Sequence, residues 1–346
     1  MSSTLRRRLE ALVQRLWYGP RPGPALRALR AALAPAAALT ASVARRRRLH
    51  LQQLPAPRVP LVVVGNFVAG GTGKTPLVAA IAGALAARGM RPGIVASGYG
   101  ATRSDARLVR PGDDPAEAGD EALWLAQATS LPVAAARRRA QAVELLARAH
   151  PAIDVLVADD GLQHAGLARS IELAVFDERG AGNGRLLPAG PLRAPLALAA
   201  SMDALVLNGD AAAPLPHPRT YRFRIEPLRF AVVNGRTAPL VPAAFVERAR
   251  GRSLAAIAGT AAPQRFFDTL RALGLAPRCI AIGDHAVLRR AELAALPEEL
   301  VVMTTKDAVK CAAWADDRCW ALEVRALPDP DLIDWLTETI RGRTLA

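Results

Sequence analysis

The side chains best suited to chemistry lie between Gly65 and Pro76, in the segment GNFVAGGTGKTP. A glycine-rich turn lets backbone N–H groups approach phosphate oxygens closely, and the N-terminus of a following helix adds partial positive charge. In such a loop Lys74 would reach the β- and γ-phosphates of a nucleoside triphosphate, and the Thr75 hydroxyl would bind Mg²⁺. The predicted nucleotide cradle comprises Val68, Ala69, Gly70, Gly71, Thr72, Gly73, Lys74 and Thr75.

The elements that flank this segment are those of a phosphate-binding loop, or P-loop. The β-branched run Leu61–Val64 predicts a buried strand, and Leu77–Ala87, followed by Gly89, predicts a helix with a glycine stop. The usual pattern has a further glycine, four intervening residues before the Gly-Lys pair, where this chain has Val68. The loop is therefore a variant form, and a tight strand-to-helix turn without a ligand is the alternative interpretation.

Two adjacent acidic residues end another predicted strand. The apolar run Ile153–Ala158 is followed by Asp159 and Asp160. A carboxylate at the end of a strand beside a P-loop strand is typical of the Walker B element, which holds Mg²⁺. Acids that cap the next turn are the structural alternative. The nearby Gln163 and His164 favour a functional site.

Other titratable side chains have both a structural and a chemical interpretation. Asp120 and Glu121 open a predicted helix, where the helix dipole alone favours acidic residues. Near a γ-phosphate, such a carboxylate could instead be the base for an attacking hydroxyl or a second metal ligand. His285 follows a predicted strand, where a lone histidine is commonly structural or solvated, and Asp284 could fix its tautomer.

Two glycine-rich loops carry candidate substrate contacts. Tyr99 lies between two glycines, directly after a predicted strand. The segment Asn183–Arg193 is rich in glycine and proline and contains two arginines, Arg185 and Arg193. It predicts a substrate-facing loop, or alternatively a turn before a helix at Ala194.

The nucleotide preference follows from a motif that is incomplete. The segment Thr305–Ala308 lies near the guanine-reading pattern NKxD, but Ala308 occupies the position of the required aspartate. Nothing else in the chain supports a guanine preference, so ATP is the predicted nucleotide.

Composition limits the classes of protein and partner. The chain has 346 residues, 51% of them hydrophobic, and a formal net charge of +14. That length suits two domains or one large domain, and the charge suits nucleic acid, an anionic membrane surface or an anionic substrate. No nucleic-acid-binding motif accompanies the charge, so we expect no nucleic-acid partner. Three cysteines without metal-like spacing predict reduced thiols in a cytosolic protein: Cys279, Cys311 and Cys319.

The first 50 residues differ from the rest of the chain. Leucines at helical spacing alternate with arginines up to Trp17 and Tyr18, and a Gly-Pro pair then breaks the predicted helix. The following segment, Ala25–Ala44, ends in four arginines; its uncharged part is only 14 residues long, too short to span a bilayer confidently. Two interpretations remain open. The segment is either an interfacial helix with its arginines on anionic lipid, or an amphipathic hairpin packed on the first domain.

The order of the predicted elements indicates an α/β fold, with a P-loop NTPase-like parallel sheet and a second, smaller α/β domain. Predicted strands are Val59–Gly65, Pro92–Ser97, Leu131–Ala135, Ile153–Asp159, Ile171–Asp177, Ala204–Asn208, Ser253–Ala258, Arg278–Ile282, Leu300–Thr304 and Trp320–Val324. A two-stranded linker is predicted from Tyr221–Ile225 and Leu228–Val233, with a turn at Glu226 and Pro227. The expected segments are N-terminal helices (1–50), a P-loop domain (51–215), the linker (216–240) and a C-terminal α/β domain (241–346).

These motifs, taken in order, are similar to those of one enzyme family. GNFVAGGTGKTP, SGYG, GDEA, ADDGLQH, GRLLPAGPLR, GDH and TTKDAVKC occur in the order found in the tetraacyldisaccharide 4'-kinases, which act in lipid A biosynthesis in Gram-negative bacteria. The resemblance spans residues 60–315, and the basic N-terminal helices also fit it. The joint match is specific, although each motif alone is modest.

The resemblance implies a peripheral membrane kinase at the cytoplasmic face of the inner membrane. Its substrates would be ATP with Mg²⁺ and the 4'-hydroxyl of a tetraacylated glucosamine disaccharide 1-phosphate. It implies Asp120 as the catalytic base and His285 as its partner from the second domain, so that closure would assemble the site. Further matches are Thr75, Asp159 and Asp160 on the Mg²⁺ side, Glu121, Gln163 and His164 as active-site positions, and Tyr99 on the substrate side. We assign Glu121 to the metal, and Gln163, His164 and Arg193 to the substrate.

Three positions depart from the family pattern. Ser97 stands where the family has Arg, Thr305 where it has Glu, and Ala122 where it has Pro. The missing basic residue leaves the contacts to phosphate or sugar open, and Arg103 is a candidate substitute.

Two other classes of protein are compatible with parts of the sequence. A partition- or metallochaperone-type P-loop switch, acting on a protein partner, would suit the loop, but those ATPases usually carry Lys where this chain has Ala69. A nucleic-acid ATPase would suit the net charge, but the arginines cluster at the N-terminus, which favours lipid.

Overall fold

The computed structural model describes residues 3–19, 22–98, 105–260, 262–283 and 288–344. The strands are β1 (Leu61–Asn66), β2 (Pro92–Ser97), β3 (Arg107–Val109), β4 (Val133–Ala136), β5 (Val155–Asp159), β6 (Ile171–Phe176), β7 (Ala204–Asn208), β8 (Thr220–Val232), β9 (Leu254–Ala258), β10 (Arg278–Ala281), β11 (Leu300–Thr304) and β12 (Cys319–Pro328). The helices are α1 (Ser3–Tyr18), α2 (Pro24–Ala32), α3 (Ala34–Gln52), α4 (Lys74–Ala87), α5 (Pro115–Ala118), α6 (Asp120–Thr129), α7 (Arg139–Ala149), α8 (Pro242–Ala249), α9 (Pro263–Ala272), α10 (Arg290–Ala294), α11 (Thr305–Cys311) and α12 (Pro330–Thr344).

A single twelve-stranded sheet organises these elements, in the order β10-β9-β11-β12-β8-β7-β6-β1-β5-β2-β4-β3. Its strands are parallel except at the β12–β8 and β3–β4 pairs. The P-loop strand β1 lies between β5 and β6, with Val64 opposite both Asp159 and Leu173. The loops that follow β1 and β5 therefore emerge side by side at the carboxyl edge, where parallel sheets bind their ligands.

The predicted two-stranded linker is not formed as expected. Residues Thr220–Val232 make one continuous strand, β8, and there is no turn at Pro227. Instead Pro227 pairs with Val324 of β12, next to an irregularity in the register of β12. Proline has no N–H to donate and is accommodated at such bulges, so the turn prediction is wrong. The sheet runs without interruption across β8 and β12, and the division into domains stays a prediction.

Most predicted strands lie close to the observed ones, because their apolar runs are buried in the sheet. All six residues of β1 are buried, and α4, α6 and α12 pack with it around one apolar core. In the C-terminal half, Phe230 and Phe245 stack with ring centroids 3.9 Å apart, against Trp320. Helix and strand positions at the carboxyl edge are thus held by buried packing on both sides of β8.

The N-terminal helices lie against the loop that precedes a short 3₁₀ helix, Leu196–Ser201. The Trp17 indole N–H donates to the Pro188 carbonyl over 3.0 Å, and the Thr40 hydroxyl donates to the Leu187 carbonyl over 2.8 Å. These contacts fit the predicted hairpin packed on the first domain and leave the interfacial interpretation untested.

The part of the chain that the structure describes contains no single helix long and apolar enough to cross a membrane. Helices α2 and α3, bent by 47° at their junction, meet the length and composition criteria only as a pair.

Candidate active site

The P-loop, residues 67–73, connects β1 to α4 and takes up its turn through glycines. Gly70 and Gly73 have φ angles of 97° and 87°, which favour glycine. At Gly73 a Cβ atom would also lie 2.7 Å from the Ile225 Cδ1 atom and 2.8 Å from the Asn208 Nδ2 atom. The close packing and the left-handed backbone together require glycine at the start of α4.

Val68 is the residue at which the loop departs from the usual pattern. This side chain is buried and its backbone forms an antiparallel bridge with Leu192, in the predicted substrate-facing segment. The Ala69 N–H donates to the Pro191 carbonyl over 2.8 Å. The first half of the P-loop is therefore paired with the Asn183–Arg193 segment, which leaves the turn at Gly70–Gly73 as the part that could curl around phosphate.

Gly73→Ala is expected to distort the loop. We expect the free energy of unfolding to fall by about 1–3 kcal/mol, because alanine strains the left-handed backbone, and ATP affinity to fall at least about tenfold with it. Chemical denaturation and calorimetric titration with ATP measure the two effects. The matched control is Gly83→Ala within α4, where a Cβ meets nothing within 4 Å; its stability should be unchanged or raised. Equal ATP affinity for both variants would contradict this role of Gly73.

Lys74 is held at the centre of the site. Its ammonium donates to the Asn66 Oδ1 atom over 3.1 Å and lies 3.5 Å from an Asp160 carboxylate oxygen. The Asn66 amide in turn donates to the carbonyls of Val68 and Gly70, over 2.7 and 3.0 Å. Asn66 thus fixes both the lysine and the loop. Sequence reasoning gave it no role, although a polar side chain that ends an otherwise apolar strand was the available signal.

Thr75 and Asp159 form the pair that fits a divalent cation. The Thr75 hydroxyl donates to Asp159 Oδ2 over 2.8 Å. The other carboxylate oxygen, Oδ1, is buried without a hydrogen-bond partner. Burial, and then the like charge of Glu121, raise the pKa of Asp159 to about 7. An orphaned carboxylate oxygen beside a hydroxyl suits a hard cation such as Mg²⁺, which keeps several water and phosphate ligands.

Asp160 has different surroundings from its neighbour. Its carboxylate accepts from Arg193 over 3.0 and 3.2 Å, besides facing Lys74, and its φ of 51° is unusual for a residue other than glycine. Burial alone would raise the pKa of Asp160, but the charges of Lys74 and Arg193 outweigh it and lower the pKa. Asp160 is therefore an ionised anchor for two cations, and its direct contact with metal stays a prediction.

Arg139 is a buried cation near the site carboxylates that sequence reasoning missed. Its side chain is 6% exposed, its Nη1 group donates to the Ala136 carbonyl, and its Nε atom has no partner. Burial lowers its pKa, while the charges of Asp159, Asp160 and Glu121 oppose that shift. A buried guanidinium facing three carboxylates balances their charge. The sequence offered only a run of three arginines after a predicted strand.

Three buried polar atoms without partners surround this site in the described part of the chain: Thr72 Oγ1, Asp159 Oδ1 and Arg139 Nε. Buried polar groups are nearly always hydrogen-bonded, and those that are not call for a bound partner. Their convergence at the carboxyl edge is what a bound phosphate and cation would satisfy.

Two of the predicted acceptor residues, Gln163 and Arg193, lie at the same edge. The Gln163 amide donates to the Asn66 carbonyl over 2.8 Å. Gln163 and Arg193 also line a groove that runs from Phe67 to Arg47 on α3. The loop Asp160–His164 thus connects the phosphate side to the N-terminal helices.

His164 is expected to remain neutral in the folded protein down to low pH. Burial, and then the charge of Arg139, lower its pKa to about 4. The unfolded chain takes up the proton near the ordinary value of 6.5, so the stability due to neutral His164 is present above that pH and is lost as the pH falls to about 4. Urea titrations between pH 6.5 and about 4 should show that the free energy of unfolding falls less with pH for His164→Gln than for wild type. The exposed His50→Gln is the control, and identical slopes for all three proteins would contradict the assignment.

Asp120 begins α6, directly after Gly119 with its φ of 85°. Its carboxylate lies 3.4 Å from the Lys310 ammonium, which belongs to α11 of the C-terminal half. Four residues of the sequence hypothesis lie outside the described residues: Tyr99, Arg103, Asp284 and His285. Thr305, at a departure from the family pattern, donates to the Leu322 carbonyl over 3.1 Å and so has a structural contact.

The fold and site together define a P-loop kinase-type phosphate site: a glycine-rich turn with Lys74 at a helix start, beside a hydroxyl and carboxylate pair at the edge of a parallel sheet. The family model described as Tetraacyldisaccharide-1-P 4'-kinase matches residues 29–341. The chain therefore belongs to the tetraacyldisaccharide-1-P 4'-kinase family, and is an ATP-dependent kinase of lipid A biosynthesis.

Relatives support this membership along almost the whole chain. A tetraacyldisaccharide 4'-kinase of Bordetella parapertussis is 45% identical, covering 97% of this chain and 98% of the relative. One from Dechloromonas aromatica is 44% identical, covering 96% and 98%. In structure, LpxK from Aquifex aeolicus, solved in complex with ATP, matches with a TM-score of 0.73 at 24% identity, covering 91% of this chain and 99% of that one. The predicted fold class and enzyme class are confirmed, and the switch-ATPase alternative is not favoured.

Proposed function

We propose that this chain transfers the γ-phosphate of Mg²⁺-bound ATP to the 4'-hydroxyl of a tetraacylated glucosamine disaccharide 1-phosphate. The observation that carries the proposal is the Thr75–Asp159 hydrogen bond of 2.8 Å, with the second Asp159 oxygen buried and unpartnered. This pair lies directly beside the P-loop lysine, and these two residues would hold the cation that accompanies ATP.

The site residues that the structure describes have separate roles in this proposal. Lys74 binds the β- and γ-phosphates, Thr75 and Asp159 hold Mg²⁺, and Glu121 adds negative charge on the metal side. Bound Mg²⁺ neutralises charge on the phosphates and orients them. Asp120 takes the proton of the 4'-hydroxyl as the hydroxyl oxygen bonds to the γ-phosphorus. The bond between the γ-phosphorus and the β,γ-bridging oxygen breaks, and ADP leaves with that electron pair.

The acceptor side is proposed to be the groove between the phosphate site and α3. Gln163, Arg193 and Arg47 supply polar groups along it, and Phe67 with Leu198 supplies apolar surface. A sugar with acyl chains and a phosphate needs both kinds of surface. His164 lies in the same loop as Gln163, and with Tyr99 completes the proposed set of substrate residues.

The N-terminal helices are proposed to bind the anionic cytoplasmic surface of the inner membrane. Leu39, Val43 and Leu49 of α3 are exposed, and the arginines at 45–48 lie between Val43 and Leu49 in the same helix. Exposed apolar side chains beside arginines suit the interface of an anionic bilayer. The protein would then meet a substrate that is itself anchored in that bilayer.

The test of the proposal is transfer of label from [γ-³²P]ATP to tetraacyldisaccharide 1-phosphate in mixed micelles. We expect labelled lipid with wild-type protein and Mg²⁺, and none after chelation with EDTA. A folded protein that binds ATP but labels no lipid would refute the proposal, and ATP-dependent dimerisation in that case would support the switch-ATPase class. Flotation with vesicles containing phosphatidylglycerol, against pure phosphatidylcholine, tests the membrane surface separately.

A further inference from the structure

Lysine is rare in this chain, and where it occurs is informative. Among 45 lysines and arginines only three are lysines: Lys74, Lys306 and Lys310. Lys74 lies in the P-loop, and the other two lie in α11. Arginine and lysine differ in shape and hydration, since an ammonium is a compact point charge and a guanidinium is a broad planar fork. A lysine in an arginine-rich chain therefore points to a site that needs the compact cation.

Lys310 is enclosed between two carboxylates. Its ammonium lies 3.4 Å from Asp120 Oδ2 and 3.9 Å from Asp307 Oδ1. The exposed fractions of these side chains are 9% for Lys310, 19% for Asp120 and 2% for Asp307. The Coulomb attraction between such poorly solvated charges is much less screened than at the surface.

Asp307 is rigidly fixed on the far side of the lysine. Its Oδ2 atom accepts from the Gly259 N–H over 2.8 Å and from the Thr304 hydroxyl over 2.6 Å. A Cβ on Gly259 would lie 2.5 Å from Asp307 Oδ1, so the chain directly after β9 approaches this carboxylate as closely as glycine permits. Asp307 thus provides a fixed negative charge that helps to hold Lys310 beside Asp120.

The contact joins two distant parts of the chain. Asp120 opens α6 in the P-loop half, whereas Lys310 and Asp307 belong to α11 in the C-terminal half, and α11 packs against α6. The position of the carboxylate at the start of α6 is therefore set partly from the other side of β8.

We propose that Lys310 is a positioning residue for phosphoryl transfer, which orients the Asp120 carboxylate toward the acceptor hydroxyl. The inference rests on the proposed role of Asp120 as the base. Asp307, held by Gly259 and Thr304, orients Lys310, and Lys310 in turn orients Asp120. A misplacement of about 1 Å of a reacting group costs about 10²-fold in rate.

The first experiment compares kcat and KM in full-length variants. Lys310→Met is expected to lower kcat by about 10²-fold with KM for ATP unchanged, because the proposal has Lys310 act on Asp120 and not on the nucleotide. The kcat of Lys310→Arg should lie between those of wild type and Lys310→Met. The matched control is Arg271→Met, which removes an exposed cation from its pair with Asp268 on a helix of the same half, and it should retain full activity. A Lys310→Met enzyme with wild-type kcat overturns the proposal.

Two further measurements separate positioning from mere folding. In an Asp120→Asn background, Lys310→Met should cause no further loss of kcat, since its effect acts through that carboxylate. Lys310→Ala should regain activity with propylammonium but not with propanol, which has a similar size without the charge. Equal rescue by both compounds, or fully additive losses in the double variant, would contradict the proposal.

Failure of this inference is distinguishable from failure of the proposed function. If wild-type protein labels no lipid, the proposed function is wrong. If wild type is active and Asp120→Asn is also active, the role of Asp120 is wrong. If Asp120→Asn is inactive while Lys310→Met is fully active, only the role of Lys310 is wrong.

Discussion

Asp159→Asn is expected to lower kcat for lipid phosphorylation by about 10³-fold, because the Mg²⁺ side of the site loses its charged ligand. Asparagine has the same shape, so Thr75 can still donate to the oxygen that now accepts over 2.8 Å. Steady-state phosphorylation at saturating ATP and Mg²⁺ measures the loss. The control is Asp154→Asn near the opposite end of β5, where a carboxylate pairs with exposed Arg91; such pairs contribute little.

The same substitution should not destabilise the ligand-free protein. Burial and Glu121 raise the pKa of Asp159 to about 7, so the folded state keeps a proton that the unfolded chain loses near 3.8. Wild-type stability due to this group therefore falls as the pH rises from about 4 to about 7, and Asp159→Asn lacks that fall. Thermal unfolding without nucleotide should give the variant an equal or higher Tm at pH 8. A clearly lower Tm, with kcat near wild type, would contradict the assignment.

Asp120→Asn is expected to lower kcat by about 10³-fold while ATP affinity remains unchanged, since an amide cannot take the proton of the acceptor hydroxyl. Calorimetric titration gives the ATP affinity, and rapid-quench single turnovers give the rate of the chemical step. Glu117→Gln is the matched control, because Glu117 is a half-exposed carboxylate on the preceding helix, paired only on the surface with Arg107. A single-turnover rate within threefold of wild type would show that Asp120 is not the base.

The resemblance also implies that His285→Ala shares this loss of turnover while the protein stays folded. Lys310 is the described side chain that contacts Asp120 from the C-terminal half, at 3.4 Å.

The P-loop was predictable from the sequence because its chemistry is local. Glycine, lysine and threonine at fixed spacing, between a β-branched run and an Ala-rich run, require one backbone path. The pairing of Thr75 with Asp159 was also predictable, since carboxyl ends of neighbouring parallel strands lie at one edge. The observed register, with Val64 opposite Asp159, places them there.

The remaining features depend on contacts between residues far apart in sequence. Arg139 and Lys310 have ordinary local sequence surroundings, and their interactions with the site carboxylates form only when the chain folds. At Pro227 the local signal was misleading. A Glu-Pro pair favours a turn locally, but pairing with β12 keeps the chain extended. Val68 likewise departs from the P-loop pattern, and its buried side chain lies where Leu192 of a remote loop pairs with its backbone.

The position of the transferred phosphate tests the central claim most directly. Full-length protein, ATP, Mg²⁺ and tetraacyldisaccharide 1-phosphate are incubated to completion, and the lipid product is examined by ³¹P–¹H correlation NMR. The account predicts one new phosphomonoester that correlates with the proton at C4' of the distal glucosamine. A phosphate on any other carbon, or ADP formed with the lipid unchanged, would contradict it.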